Sequence, residues 1–575
     1  MIRRRPSAPL RVVLRIVLGT ALIGALVAVP SVALPSRADA VGTIHAPISG
    51  SGSTWSANAM DQWIRNVFAN YKWTVNFDGT AGSTTGRNQF ALGSTDFGVS
   101  EIPYALSGSD APDKRPDRQF AYVPIVAGGT SFMYNLVIGG KRVTNLRLSG
   151  ETVAKIFTGV ITKWNDPAIA ADNPKLALPA ITIVPVVRSD GSGTSAQLTA
   201  WMRALYPGIW NAYCAKAGRS NCGITSNYPV VPGSAFLAQQ GSSNVAGAVA
   251  KDQSVGAITY VEASYAIKTH FPIAKLLNAA GYYTEPSASN VAVSLLAAVI
   301  NKDPNSPDYL TAKLSGVYTN PDPRTYPLSS YSYMIIPTAL ESNFTENKGL
   351  TLADFSSYFL CEGQQQAEVL GYSPLPINLA AAGLEQVQKI PGGDSTNKNI
   401  SKCNNPTFSP DGTNKLAAQA PQPQACDKKG PDQCLTGTGG AKGTATAASG
   451  GAAVAGTTNS AGGDSTNTAA GNGTGNGDGA TSLGGGDPVL ASSPVDLPGR
   501  GVPVPTLLLM VSGAVLAACV IMLPPLLARR RQLVLAQGPS LRRQRKRRSR
   551  QAVPTVHLPA SRRQRGRVVV PPEGS

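Results

Sequence analysis

Between residues 42 and about 400, stretches with helical spacing of apolar residues alternate with short strand-like runs, which predicts an α/β domain. Met60, Trp63, Ile64, Val67 and Phe68 recur at i, i+3, i+4, i+7 and i+8 and predict a helix burying one stripe. Ile181 to Val187 reads as a buried strand. A helix with Leu198, Trp201, Met202 and Leu205 on one face follows, and the capping-box spacing of Thr194 and Gln197 places its start there. Trp73 to Phe77 predicts another strand. Two apolar runs stand outside this alternation. Val12 to Val29 lies behind Arg3, Arg4 and Arg5 and ahead of Ala38-Asp39-Ala40, the layout of a secretory signal over residues 1–40. Thr506 to Ala528 carries no charge and is long enough to cross a bilayer.

Charge sharpens the membrane reading. The chain of 575 residues has a formal charge of +18, yet residues 1–40 carry six Arg and one Asp, and residues 529–575 carry thirteen Arg, one Lys and one Glu. The remainder is neutral, so it offers no excess charge for a phosphate backbone, and nucleic-acid binding by the ectodomain is not expected. Arginines directly after residue 528 orient the C-terminal tail toward the cytoplasm and everything before the span outward. From about Thr436 to Arg500 the chain is nearly all Gly, Ala, Ser, Thr, Asn and Asp, too polar to offset its ordering entropy, and reads as a stalk. Six cysteines precede the span, and an oxidising compartment favours disulfides; pairing of sequence neighbours gives Cys214 with Cys222, Cys361 with Cys403 and Cys426 with Cys434. A zinc site is the rival, but no CxxC occurs.

Candidate chemistry lies in three Gly/Ser/Thr loops, each feeding a helix start: Gly50 to Trp55, Gly79 to Gly86, and Arg188 to Ser195. Such loops leave backbone N–H groups unpaired at the positive end of a helix dipole, which suits an anion. Each could also be a plain turn. None has the Lys of a nucleotide P-loop, and with only His45 and His270 before the span and no GxSxG, a hydrolytic triad has little to work with.

These loops, with Leu148 to Asp166, Thr95 to Ser100 and Gly256 to Glu262, resemble the phosphate-binding protein of the high-affinity phosphate ABC transporter, over roughly Ser51 to Pro376. The resemblance implies a two-lobed periplasmic-binding-protein fold of type II with two crossing hinge strands. It implies lobe 1 at about 42–125 and 325–405, lobe 2 at about 126–324, then a Cys-containing extension 406–435, a linker 436–503, a membrane helix 504–528 and a cytoplasmic tail 529–575. Carried over by motif, Thr54 and Trp55 supply a hydroxyl, an amide and a wall; Ser83 is a phosphate contact, with Thr84 or Thr85 as substitutes; Arg188 is the cationic donor, braced by Asp190; Ser192, Gly193 and Thr194 supply donors at a helix start. Glu101 stands where the family usually has Asp, as acceptor of the proton that phosphate keeps and sulfate lacks. The implied protein is a monomer and no enzyme, without cofactor or metal. It captures inorganic phosphate at the cell surface for an ABC permease; a surface oxyanion sensor or interaction protein uncoupled from transport is the alternative.

Overall fold

The computed structural model describes residues 44–444, apart from 221, 307, 394–399, 401, 402 and 410. The signal segment, residues 445–503 of the linker, the span and the tail lie outside the described residues. Among the described residues no helix is long and apolar enough to cross a membrane.

Eleven strands form one mixed sheet: β1 (Ile48–Gly52), β2 (Val75–Asp78), β3 (Phe97–Ser100), β4 (Phe120–Tyr134), β5 (Arg147–Leu148), β6 (Val184–Arg188), β7 (Leu237–Gln239), β8 (Ala257–Glu262), β9 (Ile273–Leu277), β10 (Tyr283–Thr284) and β11 (Ser329–Pro337). The main path runs β2-β1-β3-β11-β4-β8-β6-β7, and β9 joins β4, β5 and β10. The wings are parallel, β2-β1-β3 and β8-β6-β7, as strand–helix–strand segments require. The centre is antiparallel. There β4 pairs with β11 from Phe120↔Pro337 to Gly129↔Ser329, then with β8 from Thr130↔Glu262 to Tyr134↔Ile258. One fifteen-residue strand, buried from Ala121 onward, thus belongs to both wings. At the change of partner stand Gly128 and Gly129; a Cβ on Gly129 would lie 2.3 Å from Pro286, and one on Gly128 2.8 Å from the Trp55 ring, so nothing larger fits.

Helix α1 (Ala57–Tyr71) buries Met60, Trp63 and Val67 as its spacing predicts; Trp63 donates to the Gly363 carbonyl at 2.8 Å and stacks on Phe359. Phe68 departs from the predicted stripe: it is 55% exposed, with the Lys72 ammonium 5.9 Å from its ring. The strand expected at Trp73 to Phe77 begins two residues later, at Val75, after the left-handed Lys72 closes α1. Further helices at the site are α2 (Ser83–Ala91), α3 (Gly193–Leu205), α4 (Gly241–Val249) and α5 (Ala263–Lys268). The three disulfides join the cysteines as expected: 214–222, 361–403 and 426–434.

Beyond Cys403 the chain continues as a strap across the domain. Asn405 and Thr407 donate to the Leu375 carbonyl, Ala417 and Ala420 pack on Ala292 and Val293, and the loop closed by Cys426–Cys434 reaches Arg147. That guanidinium, 1% exposed and 4.4 Å from the Tyr283 ring, donates to the carbonyls of Asp172, Asp432, Cys426 and Gly430. Lys275 adds an ion pair with Asp427 at 2.7 Å. The polar stretch beginning near Thr436 is held as far as Thr444: Thr438 N–H donates to the Thr144 carbonyl and Gly440 N–H to that of Phe271. Buried carbonyls that lose a donor cost about 1–3 kcal/mol each. Arg147→Met is therefore expected to lower the unfolding free energy by about 2–4 kcal/mol and to speed trypsin cleavage at Lys428 and Lys429 at least tenfold. Melting and timed digestion measure the two, and an unchanged digestion rate excludes Arg147 as the anchor of the strap.

Candidate anion-binding site

Each wing ends in loops at the carboxyl ends of its strands, the place where open α/β sheets bind ligands. After β1, Ser53 to Ser56 lead into α1; after β2, Gly82 caps α2; after β6, Ser192 caps α3; after β7, Gln240 precedes α4. None of these four helices has an acidic residue in its first turn, so the positive end of each dipole is left for something else.

The loops converge. Ser83 Oγ donates to Glu101 Oε2 at 2.8 Å and accepts from the Gly193 N–H at 3.0 Å, joining the start of α2 to the start of α3. Thr54 Oγ1 lies 2.6 Å from Ser242 Oγ, and the Ser242 N–H donates back to Thr54 Oγ1 at 3.2 Å, joining α1 to α4. Arg188 Nη1 donates to the same Ser242 Oγ at 3.2 Å, while its Nε and Nη2 form a fork on Asp190 at 2.8 and 2.5 Å. Asp190 also accepts from the Gly241 N–H at 2.9 Å. Arg188, Thr54, Ser83, Glu101, Ser192 and Thr194 are each at most 3% exposed.

Of the residues singled out from the sequence, Ser83, Glu101 and Gly193 lie in one hydrogen-bonded network, and Thr54, Arg188 and Asp190 lie in a second. Thr194, next in the chain to Gly193, has its Oγ1 buried without a hydrogen-bond partner. Ser192 caps α3, accepting from the Ser195 N–H at 3.2 Å. Trp55 is fully buried against Gly128 and Tyr372, a wall rather than a polar contact, its Nε1 without a partner. Thr84, the neighbour of Ser83, donates its N–H to the Gly191 carbonyl at 3.0 Å, and its hydroxyl accepts from Arg87. A side chain at Gly193 would place a Cβ 2.1 Å from Glu101 Oε2, so the close approach of carboxylate and helix start requires glycine there.

The start of α3 differs from the capping-box expectation. Ser192, not Thr194, is the cap, and Gln197 reaches across to donate to the Glu101 carbonyl at 2.9 Å instead of back to the helix. Two residues escaped the sequence reading. Ser242 sits in Gln240-Gly241-Ser242-Ser243, a fourth Gly/Ser helix start after a strand, and its signature was the same as that of the other three. Ser332, on β11, donates to Glu101 Oε1 at 2.8 Å and has no local signal at all.

Glu262 lies where β8 meets β4, fully buried, one oxygen accepting from the Ser264 N–H at 2.7 Å and the other unpartnered. Burial pushes its carboxyl well above the usual range, against the hydrogen bond from Ser264 that pulls it down. The neighbouring Tyr265 and Tyr372 hydroxyls donate to the carbonyls of Thr54 and Trp55, so this joint also holds the first site loop.

The groups gathered there are hydroxyls, amides, one guanidinium and the carboxylates of Asp190 and Glu101. Among the described residues no group of three His, Cys, Asp or Glu could hold a metal ion. Fold and site together define a two-winged α/β binding protein with an oxyanion-type cleft. The chain belongs to the PBP superfamily, whose domain matches residues 36–362, and to the phosphate-binding proteins within it. It is 30% identical over 335 residues to the phosphate-binding protein PstS 3 of Mycobacterium tuberculosis, covering 57% of this chain and 82% of that protein. It is 28% identical over 400 residues to the phosphate-binding protein PstS of Methanocaldococcus jannaschii, covering 66% and 96%. Among solved structures it is similar to the phosphate-bound periplasmic protein PfluDING at TM-score 0.44 and 18% identity, covering 59% of this chain and 92% of that one.

A carboxyl raised by burial binds a proton in the folded state that the unfolded chain has released. Stability is therefore highest below the ordinary carboxyl pKa and falls as pH rises through the folded value, by about 1.4 kcal/mol per unit. Glu262→Gln, which mimics the protonated form, is expected to flatten the decline that begins near pH 4.5 and to exceed the parent in stability at pH 7. Urea unfolding across pH measures this; equal slopes in both proteins refute the assignment.

Proposed function

We propose that the chain captures inorganic phosphate between its two wings and delivers it to an ABC permease, working from the outer surface of a membrane to which residues 504–528 tether it. The observation that carries this reading is that buried donors from loops far apart in sequence form two networks, Ser83 with Gly193 and Glu101, and Thr54 with Ser242 and Arg188, with Asp190 of the second lying 2.5 Å from where a Cβ on Gly82 would stand beside Ser83. Phosphate entry exchanges the Ser83–Gly193 and Thr54–Ser242 bonds for bonds to the four oxygens. The wings, about 42–125 with 325–405 and about 126–324, part and close again around β4 and β11.

Glu101 sets the choice of anion. Near neutral pH phosphate still carries a proton that a carboxylate accepts, whereas sulfate presents only lone pairs and is repelled. The extra methylene relative to Asp is taken up by Ser332, which holds Oε1 while Ser83 holds Oε2.

Isothermal titration of the full chain should show phosphate binding at micromolar concentration or tighter and no heat with sulfate; no phosphate heat below millimolar concentration would falsify the proposal. Arg188→Ala should weaken phosphate by about 2–4 kcal/mol, since the guanidinium is buried. Glu101→Gln should narrow the phosphate-to-sulfate ratio at least tenfold, and a ratio left intact removes Glu101 from selectivity.

A further inference from the structure

The chain neighbours of Ser83 and Glu101 are joined by another buried guanidinium. Arg87, 1% exposed, lies four residues after Ser83 on α2, so the two side chains share a face of that helix. That face meets the end of β3 twice. Ser83 reaches the Glu101 carboxylate, and Arg87 Nη1 donates at 2.7 Å to the hydroxyl of Ser100, the residue before Glu101. The rest of the fork is also occupied: Nε donates to Asp113, and Nη2 donates to Thr84 Oγ1 at 3.3 Å.

Ser100 passes this grip on to Glu101. Its hydroxyl donates to the Ile102 carbonyl at 2.7 Å and accepts from the Ile102 N–H at 3.1 Å, which closes a tight turn around Glu101. Ser100 and Ile102 are both buried. A glutamate has one more rotatable bond than an aspartate, so its carboxylate has more freedom to lose before it can stand in one place. Ser83 and Ser332 hold its two oxygens, and the turn anchored on Arg87 holds the backbone from which it springs. Pairing Asp113 alone would need only a positive charge; reaching Asp113, Ser100 and Thr84 together needs the planar fork of an arginine.

We propose that Arg87 is a positioning residue for anion selectivity: through Ser100 it fixes the turn that carries Glu101, and so places the carboxylate that accepts the proton of phosphate. Arg87 acts through Glu101 and does not touch the anion. The proposal rests on the phosphate reading given above.

Phosphate is titrated calorimetrically into the full chain, and sulfate affinity is read from its competition with phosphate. Arg87→Met is expected to narrow the phosphate-to-sulfate ratio at least about fivefold, but less than about twofold in a Glu101→Gln background, where no carboxylate remains to be placed. Melting of each variant is the folding control. A ratio unchanged in Arg87→Met, with both anions weakened alike, or narrowed equally in the two backgrounds, makes Arg87 a staple for Asp113 only and overturns the proposal. Should Arg87→Met melt too early to titrate, Ser100→Ala, which keeps the Asp113 pair and removes the grip on the turn, decides by the same comparison. A parent that binds no phosphate below millimolar concentration sinks the capture reading together with this one, whereas a parent that binds and discriminates no better than Arg87→Met sinks this one alone.

Discussion

The site rests on a buried guanidinium whose charge is already answered. Arg188 is locked in a two-bonded fork with Asp190, and Glu101 adds a second carboxylate to the same buried volume. Counting side chains alone, the volume is negative, and an anion would be repelled. What reverses the balance is the four helix starts, each worth roughly half a positive charge at its N-terminus and little screened when buried. Oriented N–H and O–H groups then do what a cluster of lysines does elsewhere, and they do it directionally. On the proposed reading, that arrangement favours a tetrahedral oxyanion with a proton to share over anions that offer charge alone.

Bringing four helix starts together depends on the centre of the sheet. Two parallel wings each point strand ends at the cleft, and β4 serves both because it changes partner at Gly128 and Gly129. The same spot gathers Trp55, Glu262 and Tyr372, so the first site loop is packed against the joint about which the wings are related. Burial raises the Glu262 carboxyl there, which ties the stability of the joint to pH.

The α/β alternation, the α1 stripe, the disulfide pairing and three of the four helix-start loops were legible because each has a local cause: periodicity, a Gly/Ser turn, or cysteine proximity. Where the cause is distant, legibility fails. Gln197 looks like a capping residue in sequence, but the Glu101 carbonyl of the other wing outcompetes the helix backbone for its amide. Ser332 is one hydroxyl in a strand of Ser and Tyr, and only the fold brings it to Glu101. The strap is the plainest case. Its described residues carry few apolar groups, and the loop around Cys426, Gly430 and Asp432 docks its carbonyls on Arg147, a residue some 280 positions earlier.

Contacts between the wings also bear on affinity. The Ser83–Gly193, Thr54–Ser242 and Gln197–Glu101 bonds hold the two sides together through the protein's own groups. Each is worth on the order of 1 kcal/mol net, so an incoming anion gains only the difference between its bonds and those it replaces. Thr194 Oγ1 is different, since it has no bond to give up. On the proposed reading, its pairing with an oxyanion would relieve a buried donor outright, which would make it a stronger contributor to capture than a neighbour already satisfied within the protein.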